Sequence, residues 1–182
     1  MLAPYDAHAD FEDRMDRTAA PTETYSATHH RKTTAMSEQI TDFDMELGSG
    51  IAAFEAKHFA RAAGLLSPLA EGGNAEAQYR MAIMAQNGLG MHENPLLAFK
   101  YMKAAAEAGL DIAQHGLGFM YLEGECTEKD PEKAAHWFTK AAEQGLAGSQ
   151  TTLAMMYEEG RGVEMDSEQA KKWYRLAGFE ER

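Results

Sequence analysis

Cysteine is almost absent from this chain of 182 residues: Cys126 stands alone. An internal disulfide is therefore excluded, and nothing calls for an oxidising compartment. No run approaches the roughly 18 apolar residues of a membrane-spanning helix. The opening Met1-Leu-Ala-Pro-Tyr-Asp-Ala-His-Ala-Asp has acids where a secretion signal needs positive charge and then an apolar stretch. Valine and isoleucine are scarce and aromatics reach only 9%, which argues against a sheet-based core. Basic residues are outnumbered, 17 against 29 acids, for a net charge of −12. The excess is spread out: 9 acidic and 4 basic residues over 1–45, then 20 and 13 over 46–182. With no basic stripe to neutralise phosphates, nucleic-acid binding is disfavoured, and an anionic membrane surface would repel the chain. Solubility accounts for most of this charge, and a basic or neutral protein partner is compatible with it. The expectation is a soluble cytoplasmic protein without a cofactor.

What the chain does have is alanine, leucine and methionine within a hydrophobic fraction of 45%, all good helix formers. It also has a period of 36 residues. At that spacing Gln78, Gln114 and Gln150 coincide, as do Met84, Met120 and Met156, and Gly88, Gly124 and Gly160. Ala98, Ala134 and Ala170 share the register, with Ala105, Ala141 and Ala177, and Gly73, Gly109 and Gly145. A fixed period of 20–50 residues signals a stacked-repeat fold.

Each unit reads as two helices. In the second, Asp111 to Glu123 carries Ala113, Leu117, Met120 and Tyr121 on one face, and Gly124 stops it in the left-handed region. After a short loop, Asp130-Pro131 restarts the chain as N-cap and N1. The second helix runs to about Gln144, burying Ala134, Trp137, Phe138 and Ala141. Small alanines let helix axes approach closely, while Trp137 and Trp173 are expected to fill the gap between pairs. Upstream, 41–73 reads as a degenerate capping pair, with Pro68 expected to kink its second helix. Residues 1–40 lack periodicity and read as a disordered tail, and Met36-Ser-Glu-Gln looks like an alternative translation start. The fold class is all-α: a right-handed α-solenoid of antiparallel helix pairs, with repeats at 74–109, 110–145 and 146–182.

These residues resemble the Sel1-like repeat, a relative of the tetratricopeptide repeat. The likeness is carried by Ala147-Gly-Ser-Gln-Thr-Thr-Leu-Ala-Met-Met-Tyr-Glu-Glu-Gly-Arg-Gly-Val-Glu-Met-Asp and Ala170-Lys-Lys-Trp-Tyr-Arg-Leu-Ala. The second unit follows through Leu117-Gly, Tyr121, Gly124, Asp130, Ala134, Trp137 and Ala141-Ala142. The first departs, with Ala85 for the tyrosine and Tyr101 for the tryptophan. The resemblance implies adaptor or scaffold roles, often bacterial, by fold-level analogy. The paired cysteines of the secreted, cysteine-rich branch are missing, so that branch's activities are not implied.

Catalytic chemistry finds little support. The seven histidines (His8, His29, His30, His58, His92, His115 and His136) form no ligand pattern for zinc. Cys126 has Glu123, Glu125 and Glu128 nearby, which oppose a reactive thiolate. Glu158-Glu159 has no acid/base partner, and Gly88-Leu-Gly90 and Gly160-Arg-Gly162 follow no strand that would make them a phosphate cradle.

Binding has positive content. On the first helix of each unit, positions spaced i, i+4 and i+7 vary while the packing positions stay fixed. They are Tyr79, Ile83 and Gln86; His115, Phe119 and Leu122; and Thr151, Met155 and Glu158. In solenoids the first helices line the concave side, so these residues would form a groove for a basic or amphipathic segment of another protein. An equally consistent reading makes Ile83, Phe119 and Met155 inter-helix core; spacing alone does not separate the two. The alternative functions are self-association through an uncapped C-terminal repeat face and, behind it, a hydrolase-type enzyme.

Overall fold

The structure, a computed structural model, describes residues 42–179. The stretch 1–40 read as a disordered tail, with its alternative start at Met36, lies outside the described residues. Among the described residues there are eight helices and no strand. They are α1 (42–55), α2 (Phe59–Glu71), α3 (Ala75–Asn87), α4 (Pro95–Glu107), α5 (Asp111–Glu123), α6 (Pro131–Glu143), α7 (Ala147–Glu159) and α8 (Ser167–Leu176). The starts of α3, α5 and α7 are 36 residues apart, and so are those of α2, α4, α6 and α8. From α2 onward each helix packs on its chain neighbours, as in a helical solenoid, and α1 meets α2 through the Phe54 and Phe59 rings.

Capping chemistry places these boundaries. Asn94 and Asp130 accept from the backbone N–H of Leu97 and Lys133, each at 3.0 Å, and Pro95 and Pro131 follow them at N1. Asp166 caps α8 through Glu168 and Gln169. These bonds satisfy donors that have no intrahelical acceptor. At the other end, α3, α5 and α7 stop at Gly88, Gly124 and Gly160, with φ of 65°, 79° and 65°. The next N–H then reaches back five residues, Leu89 to Met84, Glu125 to Met120 and Arg161 to Met156, which closes the turn as a Schellman motif. Pro68 does not end α2, which continues to Glu71.

Fully buried alanines, among them Ala62, Ala77, Ala98, Ala105, Ala113, Ala134 and Ala141, lie at the helix crossings. The repeated glutamine has a specific task. Gln78, Gln114 and Gln150 are buried, and each Nε2 donates to the carbonyl of Ala70, Ala106 or Ala142 at 3.1–3.2 Å. Each bond ties the first helix of a repeat to the last turn of the helix before it. The tryptophans divide: Trp173 is buried, but Trp137 is only half-buried, its ring beside His136 and under the ammonium of Lys140. Phe138 takes the interior place on α6, at 0% exposure.

Candidate functional site

The exposed row expected on α3, α5 and α7 exists in part. Phe119 is 40% exposed and Met155 47%, so neither belongs to the inter-helix core; Ile83, in the same register, is half-buried. Leu122 corrects the expectation: at 4% exposure it is core. The loop after α7 folds over that end of α5, where Arg161 Nη2 donates to the Leu122 carbonyl (3.3 Å) and the Glu123 carboxylate (3.2 Å). One repeat earlier, Gln86 Nε2 donates to Glu125 Oε2 at 2.9 Å.

Between α3 and α5 lies a cleft of ≈310 Å³. Tyr79, Ile83 and Gln86 form one wall, and Ile112, His115, Gly116 and Phe119 the other. Met102 and Met120, both buried, lie beneath, and Glu125 stands at an end. Five of the nine expected residues thus meet here. Thr151, Met155 and Glu158 lie on α7, outside this cleft; Thr151 Oγ1 donates to the Ala147 carbonyl, and Glu158 accepts from the Tyr174 hydroxyl. Ile112, 39% exposed, was missed although an apolar residue on the first turn of α5 marks it; Glu125 was missed because its place depends on the loop's path. Burial raises the Tyr79 hydroxyl pKa above its ordinary value, with Arg80 opposing and Glu76 adding to the shift.

His115 is the hub of an aromatic cluster. Its ring lies edge-to-face with Phe119 (4.9 Å between centroids) and Phe138 (5.5 Å), and those two rings are 5.1 Å apart. Gly118 makes room, since a Cβ there would come within 2.8 Å of the Phe138 ring. Desolvation holds the His115 pKa below its usual value. Its Nδ1 pairs with Ser149 Oγ on α7 at 2.7 Å. This serine–histidine pair was not foreseen, because Ser149 stands where the other repeats have Ala77 and Ala113. It has the geometry of a nucleophile and base, yet Ser149 is 0% exposed. The pair acts as a strut between α5 and α7.

Cys126 has φ of 61°, in the loop position where Gly90 and Gly162 have 70° and 73°. Burial, then Glu125, pushes its thiol pKa up, the opposite of an activated cysteine. Among the described residues no cluster of three or more His, Cys, Asp or Glu could hold a metal ion. No described helix is long and apolar enough to cross a membrane.

Comparison with known proteins places this architecture. The Sel1 repeat model matches residues 75–110, 111–146 and 147–178, one residue later at each start than the sequence periodicity suggested. A Sel1 repeat protein from Oxalobacter formigenes is 31% identical over 73% of this chain and 53% of its own, with a TM-score of 0.70. The protective antigen c5321 of uropathogenic Escherichia coli strains, which displays an SLR fold, is 30% identical, with a TM-score of 0.72. That match covers 81% of this chain and 32% of the antigen. The chain thus spans about half and a third of these two relatives. No curated protein matches it. Three tandem matches, on the helix pairs α3–α4, α5–α6 and α7–α8, show that the chain belongs to the Sel1 repeat family.

Proposed function

We propose that this protein is a scaffold or adaptor that holds a segment of another protein across α3, α5 and α7. Sel1 repeat proteins are generally protein–protein interaction modules. The observation that carries the reading to this surface is the row formed by Ile83, Phe119 and Met155. Phe119 and Met155 are exposed there, even though one edge of the Phe119 ring packs on His115 and Phe138. Exposed apolar groups gathered beside a cleft mark interaction sites more often than scattered ones do. Phe119, central in the row, is the anchor.

Replacing Phe119 with Ala is expected to weaken binding of the native partner by about 2 kcal/mol or more. The test is quantitative capture from the native host with wild-type and variant protein, beside thermal melting of each. Melting should fall only modestly, through the lost edge contacts with His115 and Phe138. A variant that melts normally and captures the same proteins at the same level removes Phe119 from the site.

A further inference from the structure

The helices of the three repeats are sorted by charge. The described lengths of α3, α5 and α7 contain Glu76, Asp111, Glu123, Glu158 and Glu159 against one cation, Arg80, a net of 1 − 5 = −4. Those of α4, α6 and α8 contain Lys100, Lys103, Lys133, Lys140, Lys171, Lys172 and Arg175 against four glutamates, a net of 7 − 4 = +3. The apolar row therefore lies on the acidic set of helices. Arg80 pairs with Glu76 on its own helix, and Arg161 from the loop after α7 pairs with Glu123, which leaves Asp111, Glu158 and Glu159 as the remaining acids of this set. At the end of the cleft the Gln86 amide holds one oxygen of Glu125, so that carboxylate is oriented while its second oxygen can still accept. Tyr79 and Gln86 add neutral polar groups to the same wall.

We propose that the segment bound here is basic, with a lysine or arginine beside an apolar side chain. The apolar group seats on Ile83 and Phe119, the cation reaches Glu125, and the segment runs on over the exposed Met155 of α7. The inference rests on the groove reading above and adds the partner's chemistry. An aliphatic stem ending in a cation matches an apolar cleft with a carboxylate at its mouth. The lysines of α4, α6 and α8 repel the same segment, which gives the choice of face as well as affinity.

The test uses the full chain as bait for random peptides displayed on phage, with selection repeated on Glu125→Lys. Affinities of the enriched peptides are then read by fluorescence anisotropy at low and high salt. Basic residues next to Leu, Met or Phe should be enriched. Their affinity should fall by roughly three- to tenfold in Glu125→Lys, since reversing an exposed charge turns a weak attraction into a repulsion. It should also fall with salt. Phe119→Asp and Met155→Asp should each abolish binding, and Met155 makes none of the ring contacts that could confound the first variant. Peptides that need Phe119 and Met155 yet are neutral or acidic overturn the basic partner and leave the groove standing. Binders indifferent to both aspartate variants, or no enrichment at all, overturn the groove and the inference together.

Discussion

Cys126 and His115 both sit where their residue type is costly. Cys126 holds a left-handed backbone in a loop that uses glycine in the other two repeats. For an L-residue that conformation costs about 1–2 kcal/mol, and glycine returns about 0.4–1 kcal/mol of it through the freer unfolded chain. Cys126→Gly should therefore stabilise by about 0.5–1 kcal/mol in urea unfolding; a loss would mean that packing of the half-buried thiol outweighs the strain. His115 is the second case. Its pKa is depressed in the fold by desolvation, so the unfolded chain takes up the proton first as pH falls through about 6.5. Stability from the neutral ring is complete above that value and is lost below it, down through the folded-state pKa. The melting temperature of wild type should drop more between pH 7.5 and 5.5 than that of His115→Gln. Parallel curves would show that the ring is not desolvated by the cluster with Phe119 and Phe138.

At the level of elements, the glutamine clasp carries a comparable cost if broken. Gln114 donates to the Ala106 carbonyl and accepts from Gln144 Nε2 at 2.8 Å. Gln114→Leu removes one bond from each partner, while the Ala106 carbonyl still accepts from the Gly109 N–H and Gln144 Nε2 still donates to the Gly109 carbonyl, so it should cost about 1–2 kcal/mol. Gln114→Glu should cost more at neutral pH, because a buried carboxylate then faces a carbonyl oxygen. The excess should shrink in acid, where the protonated carboxyl donates again; equal costs at all pH values would show that water replaces the clasp. The glutamine was visible in the sequence as a repeated residue, but its bond was not, because the acceptor lies in the preceding helix. Helix limits were legible for the same reason that they are stable: Asp130-Pro131 and Gly124 are local chemistry. Phe119 and Leu122 show the boundary of that method. Both lie in the groove register of α5, yet an arginine 39 residues beyond Leu122 brings a loop over it and leaves Phe119 open.

At the scale of the molecule, the question is whether the outer face of α8 joins a second copy. On α4 the side facing the next repeat presents Phe99 to Tyr121, Met102 to Gly116 and the Ala106 carbonyl to Gln114. On α6 the same register positions are Ala135, Phe138 and Ala142, all buried. In the third repeat they are Lys171 and Tyr174 on α8 and Gly178 just beyond it. Lys171 pairs with Glu168 and the Tyr174 hydroxyl with Glu158, so polar contacts occupy the positions that stack in the earlier repeats. Leu176 and Met165 are exposed but correspond to Lys140 and Lys129 one repeat earlier, outside that face; Phe179, also exposed, packs edge-on against the Tyr174 ring at 5.9 Å. Stacking another copy in the manner of the internal repeats would desolvate the Lys171 ammonium without a new partner. Light scattering after size exclusion should accordingly return a monomer near 20.1 kDa, unchanged with protein concentration. Lys171→Ala combined with Tyr174→Phe brings the face closer to that of α6 and should introduce concentration-dependent association. A wild-type dimer that this double substitution leaves unchanged would show that the copies meet elsewhere, with the polar residues of α8 playing no part in keeping them apart.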